Sequence, residues 1–450
     1  MNHHFSVVFP LACIILSGLC GCQHVPGGRA AGNLAPYPAN PRYLADTHGK
    51  PLLLLGDYTW GTFSDTGYDY TAMLDEIAAH RQNFARVWLW WGSESFPAPH
   101  NKTHLVPYLR TGLETANDGL PKYNLDQFNP AFFTRLQQVC KAARDRGITL
   151  QLVLFDAWML KHEHLWRLHA YCRDNNINGV DGDPEGTGKG MDGKRGFCSM
   201  NNPEVLERQK AYIGRVIEAV DHFDNVFFEI ANENYYSKDW ETCLCEYIHE
   251  YEKDRPRKHL VMPLDLPNHN YGGIQTYDIR KMHREILKAL PLNRPLIFDT
   301  DGILYPEDSV VRKAMWTAFV SGANANYLDE SMQPDGKHHG DFRGASRETL
   351  RRQLGYLAAF AHKTRFWEMR PDDNRLTGGF GFVFSSDREM VVCLPEGGAA
   401  ILDLPHTVIS AHWYNPRNGE YTDLPYAGAS GLLAFLAPSG EDWVLRIRMR

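Results

Sequence analysis

The feature that most constrains this chain is a repeated switch of hydrophobic period. Short apolar runs of strand type alternate with longer amphipathic segments of helix type from about residue 40 to residue 365. PLLLLGDYTW (51–60), ARVWLWWG (85–92), ITLQLVLFDAW (148–158), NVFFEIANEN (225–234), HLVMPLDL (259–266), RPLIFDTDG (294–302) and ANANYLDES (324–332) are continuous or alternating apolar runs. Between them, residues 68–84, 131–147, 204–223, 307–322 and 347–364 space their apolar side chains at three to four. Strands that alternate with helices pair in parallel, and a count near eight closes the sheet into a (β/α)8 TIM barrel. The sixth strand is the weak point, since only GGIQTYDIRKMHREILKAL stands between Leu266 and Arg294.

Past Arg365 the texture becomes short alternating runs broken by Gly, Pro, Asn and Ser, which predicts a small all-β sandwich over 366–450. The predicted organisation is a signal peptide (1–22), a flexible tether (23–38), a barrel (39–365) and this sandwich. The leading apolar run is too brief to span a bilayer, and Leu19-Cys20-Gly21-Cys22 resembles a bacterial lipobox with Cys22 as the lipidated residue. That predicts a lipid-anchored or secreted protein of the bacterial envelope, touching membrane only through its anchor. Six cysteines follow Cys22; in an exported chain Cys172 and Cys198 are the candidate disulfide, and Cys243 and Cys245 suit buried thiols. A net charge of -7 offers no electrostatic ground for a nucleic-acid partner.

Chemistry concentrates at the carboxyl ends of the strand-like runs, where barrels build their active sites. In NVFFEIANEN, alternation puts Phe227, Glu229, Ala231 and Glu233 on one face, so both acids point into the barrel. Arg86, on the face of its run that carries Trp88 and Trp90, is the expected interior ion-pair partner of Glu229. Glu233 sits at the strand's end beside Asn232. Asp57 and Trp60, Trp90, Asp156 and Trp158, Asp299 and Asp301, and Asp329 and Glu330 end the other runs. Acids and indoles on one rim suit a sugar site, with rings stacked on aromatics and carboxylates on hydroxyls. Asn232, Arg86, Trp60, Trp90, Asp156, Trp158, His269 and Glu330 are the candidate substrate contacts. The acids of GVDGDPEGTGKGMDGK, within the long 159–203 loop, fit a solvated loop better than a calcium site. KHEHLWRLH carries His162, His164 and His169 without the HExxH spacing of a zinc hydrolase, and no cofactor or metal is expected.

FFEIANEN resembles the Asn-Glu signature of the large clan of retaining (β/α)8 glycoside hydrolases, and NFARVWLW resembles that clan's second-strand motif. NPRYLADTHGKPLLLLGDYTW and VVRKAMWTAFVSGANANY are similar to segments of its apiosidase-like group. WYNPRNGEY and EDWVLRI resemble the small β-domain named for collagen binding that follows such barrels. The resemblance implies glycosidic-bond hydrolysis, with Glu233 as acid/base and Arg86 supporting the nucleophile. It also exposes a departure, because the nucleophilic Glu of relatives falls about five residues past the Pro, where this chain has Thr300. Asp301, or Asp299 in its place, is then the expected second carboxylate. The alternative is a carbohydrate-binding protein that has lost its catalysis.

Overall fold

The computed structural model describes residues 34–58, 63–89, 105–190, 194–234, 237–267, 276, 278–299, 307–328 and 345–450. All of them belong to one compact unit. Among the described residues, seven parallel strands form one curled sheet. Its order is Val261–Met262, Val226–Asn232, Thr149–Asp156, Phe84–Trp88, Leu55–Tyr58, Asn324–Leu328, Ile297–Asp299. The two outer strands of this order are the fifth and seventh of the predicted series. The predicted sixth strand is not among the strands of the described residues, and 268–275 and 277 lie outside them. The fold is a TIM-type barrel followed by a β-sandwich.

Helices pack outside the sheet, and their starts are written in the sequence. Asp69, Asn129, Asn202 and Asp278 cap Tyr70–Ala79, Pro130–Asp145, Pro203–Val220 and Ile279–Ala289, each accepting a hydrogen bond from a first-turn amide. Two of these helices open on Pro, whose missing N–H costs nothing at the first position. The predicted HLVMPLDL strand shrinks to two residues, Val261–Met262, before a turn.

The barrel interior is stacked in layers. Leu54, Phe84, Phe227, Met262 and Ile297, with Leu34 and Leu44 from the leading segment, form an apolar plug at one end. Above it lies a buried polar layer of Arg86, Gln151 and Glu229, and above that Tyr58, Trp88, Val153 and Leu328. Among the described residues, the plug fills the amino-terminal end of the strands and leaves the carboxyl end to ligands.

Two features were not expected. A hairpin, Tyr108–Thr115 and Pro121–Phe128, precedes the helix Pro130–Asp145. The 159–203 loop, expected to be solvated, buries Trp166, Tyr171, Phe197 and Cys198 in the largest core cluster. Its acids serve the backbone: Asp183 accepts from the amides of Thr187 and Gly188 and from the Thr187 hydroxyl. Its glycines also have a packing role, since a Cβ on Gly190 would stand 2.4 Å from the Trp166 ring. The expected Cys172–Cys198 disulfide is absent, and both residues are free thiols. Burial in that core, with Glu241 nearby, pushes the Cys198 thiol well above its usual range, which favours an inert thiol. Cys245 is buried as expected, and Cys243 is half-buried.

The carboxyl-terminal region forms a six-stranded antiparallel sheet facing a three-stranded one, with Val383, Val392, Leu402, Trp413, Phe435 and Leu445 between them. The far face of the larger sheet is covered as well. Its Phe384, Val391 and Tyr414 pack on Trp316, Phe319 and Phe360 of the barrel helices Asp308–Val320 and Ala345–Ala361. Burial on both sides explains why Glu389–Leu394 is buried at all six positions instead of alternating. Arg312 makes a two-pronged ion pair with Asp442 across this junction, at 2.9 and 2.8 Å, and its third nitrogen reaches Gln353 at 2.7 Å.

Candidate active site

The polar layer is organised by Arg86. Its guanidinium donates to both oxygens of Glu229 at 2.8 and 2.7 Å, reaches the Asn232 side-chain oxygen at 2.9 Å, and lies 3.6 Å from the Asp299 carboxylate. The Trp88 ring packs against the guanidinium, 4.3 Å from ring centre to charge, and Gln151 gives Glu229 a further bond at 2.6 Å. A buried carboxylate is tolerated only with its charge paired and its lone pairs filled, and Glu229 has both. The expected Arg86–Glu229 pair is therefore present. The Arg86 side chain itself has no solvent exposure, which removes it from direct reach of a ligand.

From Arg86 the bonds climb to the mouth. Asn232 accepts from Arg86 and donates to Asp156 at 2.9 Å, across the paired ends of their two strands. Strict alternation put Asn232 on the outer face, but these bonds bring it inward. The reason lies one residue on. Glu233 has a left-handed backbone, φ 49°, a conformation that costs a non-glycine residue about 1–3 kcal/mol and concentrates at functional sites. The strand ends at Asn232, so the two-residue period no longer governs this pair. Glu233 stands at the rim with its side chain 13 % exposed and pairs with the Lys161 ammonium at 2.6 Å.

Asp299 faces inward, sharing its face with Ile297 of the apolar plug, whereas Leu296 and Phe298 face the helices. Its carboxylate accepts from the Tyr58 hydroxyl in a short hydrogen bond and is buried level with Arg86. Asp57, expected among the rim acids, is corrected. It points the other way and pairs with Arg351 of the helix Ala345–Ala361 at 3.3 Å, while its neighbour Tyr58 turns inward. Trp158 lies at the mouth, half-buried against the Tyr58–Trp88 layer, and its ring meets that of His162 at a tilt of 56°, ring centres 4.5 Å apart. His169 is buried between Trp166 and Phe197, away from His162. Burial drives its proton affinity down to a pKa of about 3.

Asp301, Trp60, Trp90, His269, Glu330, Asp329, Thr300 and Cys22 lie outside the described residues. Those the structure brings together are Arg86, Asn232, Asp156, Glu233 and Asp299, with Trp158 beside them. The sequence reading missed Tyr58, Gln151 and Lys161. Gln151 did leave a signal, as the lone amide inside an apolar run; Lys161 left none, being beyond the strand on the turn that follows Ala157–Leu160.

Comparison with known proteins places the fold in context. A family model described as a domain of unknown function, DUF6298, matches residues 98–264. A second, described as "Putative collagen-binding domain of a collagenase", matches residues 389–448. No curated protein matches the sequence. Among solved structures, the chain is similar to one described as a glycoside hydrolase, with a TM-score of 0.65 and 14% identity over 93% of this chain and 97% of that one. It is also similar to a glycoside hydrolase family 5 protein from Bacteroides vulgatus ATCC 8482, with a TM-score of 0.63 and 15% identity over 93% of each chain. At such identities the likeness is one of fold, and it spans both the barrel and the sandwich.

Proposed function

We propose that this protein is a glycoside hydrolase that cleaves O-glycosidic bonds of a poly- or oligosaccharide. Glu233 protonates the leaving oxygen, and Asp301 is the nucleophile or the base for water. The observation that carries this is Glu233 itself, an acid in a strained backbone at the barrel mouth, standing on the bonded series Asp156–Asn232–Arg86–Glu229. Alternation in the sequence groups Asp301 with Asp299, whose side chain faces inward; Asp301 itself lies outside the described residues. Asp299, enclosed by Tyr58 and Arg86, suits a supporting role better than direct attack. The Asn232–Glu233 pair and Arg86 support a place in the retaining clan, and the resemblance of NPRYLADTHGKPLLLLGDYTW and VVRKAMWTAFVSGANANY supports its apiosidase-like group.

Turnover on a panel of neutral and acidic oligosaccharides tests the proposal, with Glu233→Gln and Asp301→Asn each expected to lose at least about a hundredfold in kcat. Wild-type turnover in both variants would refute the assignment. Binding without hydrolysis would instead favour a carbohydrate receptor. The anomer first released, followed by NMR, separates retention from inversion. Attachment to the bacterial envelope through Cys22 belongs to the same proposal, and Cys22→Ser should release the protein from the membrane fraction.

A further inference from the structure

Four arginines meet in one hollow of the sandwich. Arg365, Arg370, Arg375 and Arg388 line a cavity of about 470 Å³ that also takes in Ser385 and Met390, both buried. Like charges gathered in one place repel unless each has an opposite charge to face. Two of the four have one: Arg365 pairs with Glu368, and Arg375 lies 3.3 Å from Asp372 and 3.3 Å from Asp403. Asp372 is engaged further by the Ser385 hydroxyl, which donates to it at 3.0 Å. The side chains of Arg370 and Arg388 are exposed and form no ion pair or hydrogen bond among the described residues. The remaining acid of the lining, Asp387, is exposed and forms none either, so two open guanidinium groups stand against one open carboxylate.

The backbone fixes where both open arginines start. Arg370 belongs to the short strand Arg370–Pro371, paired antiparallel with Phe382–Ser385 so that it stands opposite Ser385. Arg388 sits in the tight turn that follows that strand. The turn is closed by the Ser386 amide, which donates to the Glu389 carbonyl at 2.8 Å, and by the Ser386 hydroxyl oxygen, which accepts from the amides of Arg388 and Glu389 at 3.4 and 3.2 Å. The two guanidinium groups therefore enter one hollow from two anchored elements. A carboxylate holds its two oxygens in one plane and is satisfied by a single guanidinium fork, whereas a tetrahedral oxyanion can accept from several forks in different directions. The hollow falls in the range of about 300–1,000 Å³ typical of small-molecule sites, which leaves room for an organic body on the anion.

We propose that this hollow is a binding site for a phosphate or sulfate group, held between Arg370 and Arg388. Arg365 and Arg375, already paired, add to the positive field without being drawn from their partners. The site is separate from the barrel mouth: Arg365 and Arg370 also border a second hollow with Asn40, Arg42 and Asn293, and Asn293 comes just before the strand Ile297–Asp299, at the plugged end of the barrel. The inference is accordingly independent of the hydrolase reading.

Calorimetric titration of the full chain with inorganic phosphate, sulfate and glycerol 3-phosphate, against chloride at matched ionic strength, tests it. One saturable site is expected. Arg370→Gln and Arg388→Gln should each weaken it about tenfold, the worth of one charge-assisted bond, while melting with the wild type because both side chains are exposed. Asp387→Asn removes the opposing carboxylate and should tighten it, and added salt should weaken it in every form. Absence of saturable binding by all three anions would overturn the inference. So would equal affinity in wild type and both Gln variants, or failure of Asp387→Asn to tighten binding. Sedimentation with vesicles then distinguishes the source of the group. Binding to phosphatidylglycerol but not phosphatidylcholine vesicles, lost in the Arg370→Gln/Arg388→Gln double variant, supports the site as one for a lipid headgroup. Anion binding without vesicle binding supports it as one for a soluble ester.

Discussion

Replacing Arg86 by lysine keeps the charge and removes the planar fork, so it isolates what the guanidinium geometry does. An ammonium there has its donors on a single nitrogen, without the separated pair that meets the two oxygens of a carboxylate side by side. It cannot hold both oxygens of Glu229 and the side chain of Asn232 together, as Arg86 does at 2.7 to 2.9 Å. Two charge-assisted bonds are lost at about 1.5–3 kcal/mol each, giving roughly 4 kcal/mol, in line with breaking a buried ion pair. Unfolding entropy of about 2 cal/mol/K per residue over this compact unit converts that loss to a fall in Tm of roughly 4–5 °C. The catalytic loss should be larger. Asn232 would lose its anchor one residue before Glu233, and displacement of a reacting group by about 1 Å can cost on the order of a hundredfold in rate. Chemical denaturation and turnover on the same preparation would measure both effects. Arg312→Lys is the control, because it loosens another largely buried ion pair, at the sandwich, and should lower stability with little change in kcat. The reasoning is refuted if Arg86→Lys melts within 1 °C of wild type, or if the control loses as much activity as Arg86→Lys.

Gly190→Ala should destabilise by about 1–3 kcal/mol in urea unfolding, because its methyl would sit inside contact distance of Trp166. A reducing agent should leave Tm unchanged to within about 1 °C, since Cys172 and Cys198 are free thiols; a larger fall would mean they pair. Burial pushes the Asp442 carboxyl up, but the Arg312 hydrogen bonds and charge outweigh it and hold the group below the ordinary carboxylate range. Its contribution is therefore complete above about pH 5 and lost as pH falls below about 4 through the lowered value. Unfolding of wild type and Asp442→Asn across that range should show the stability gap closing with acid; a widening gap would contradict the pairing.

Much of the architecture was legible because it is periodic. The strands around Arg86, Gln151 and Glu229 had to turn charged or polar groups inward, and two opposite charges inside apolar runs identified each other. Asp57 misled because its partner, Arg351, is 294 positions away on the last barrel helix, and no local pattern records that pairing. Asn232, a candidate contact, faces inward because alternation fails where the backbone leaves the strand, and the positive φ at Glu233 has no marker in residue type. The Gly-rich loop looked solvated because composition does not distinguish a flexible glycine from one pressed against an indole. Lys161 was invisible for a related reason: its role depends on how a four-residue helix redirects the chain.

The six-stranded sheet covered on both faces has a consequence for how this protein can be rearranged by recombination. Many appended β-domains are exchangeable parts, joined by a linker and free to be deleted, duplicated or moved to another enzyme. Here the sheet that carries Phe384 and Tyr414 is also the outer wall over Trp316, Phe319 and Phe360. Cutting the chain near residue 365 would leave those rings bare on the barrel and expose the opposite face of the sheet. Barrel and sandwich should therefore be inherited together, and changes in one lineage's Trp316 should be matched by changes at Tyr414.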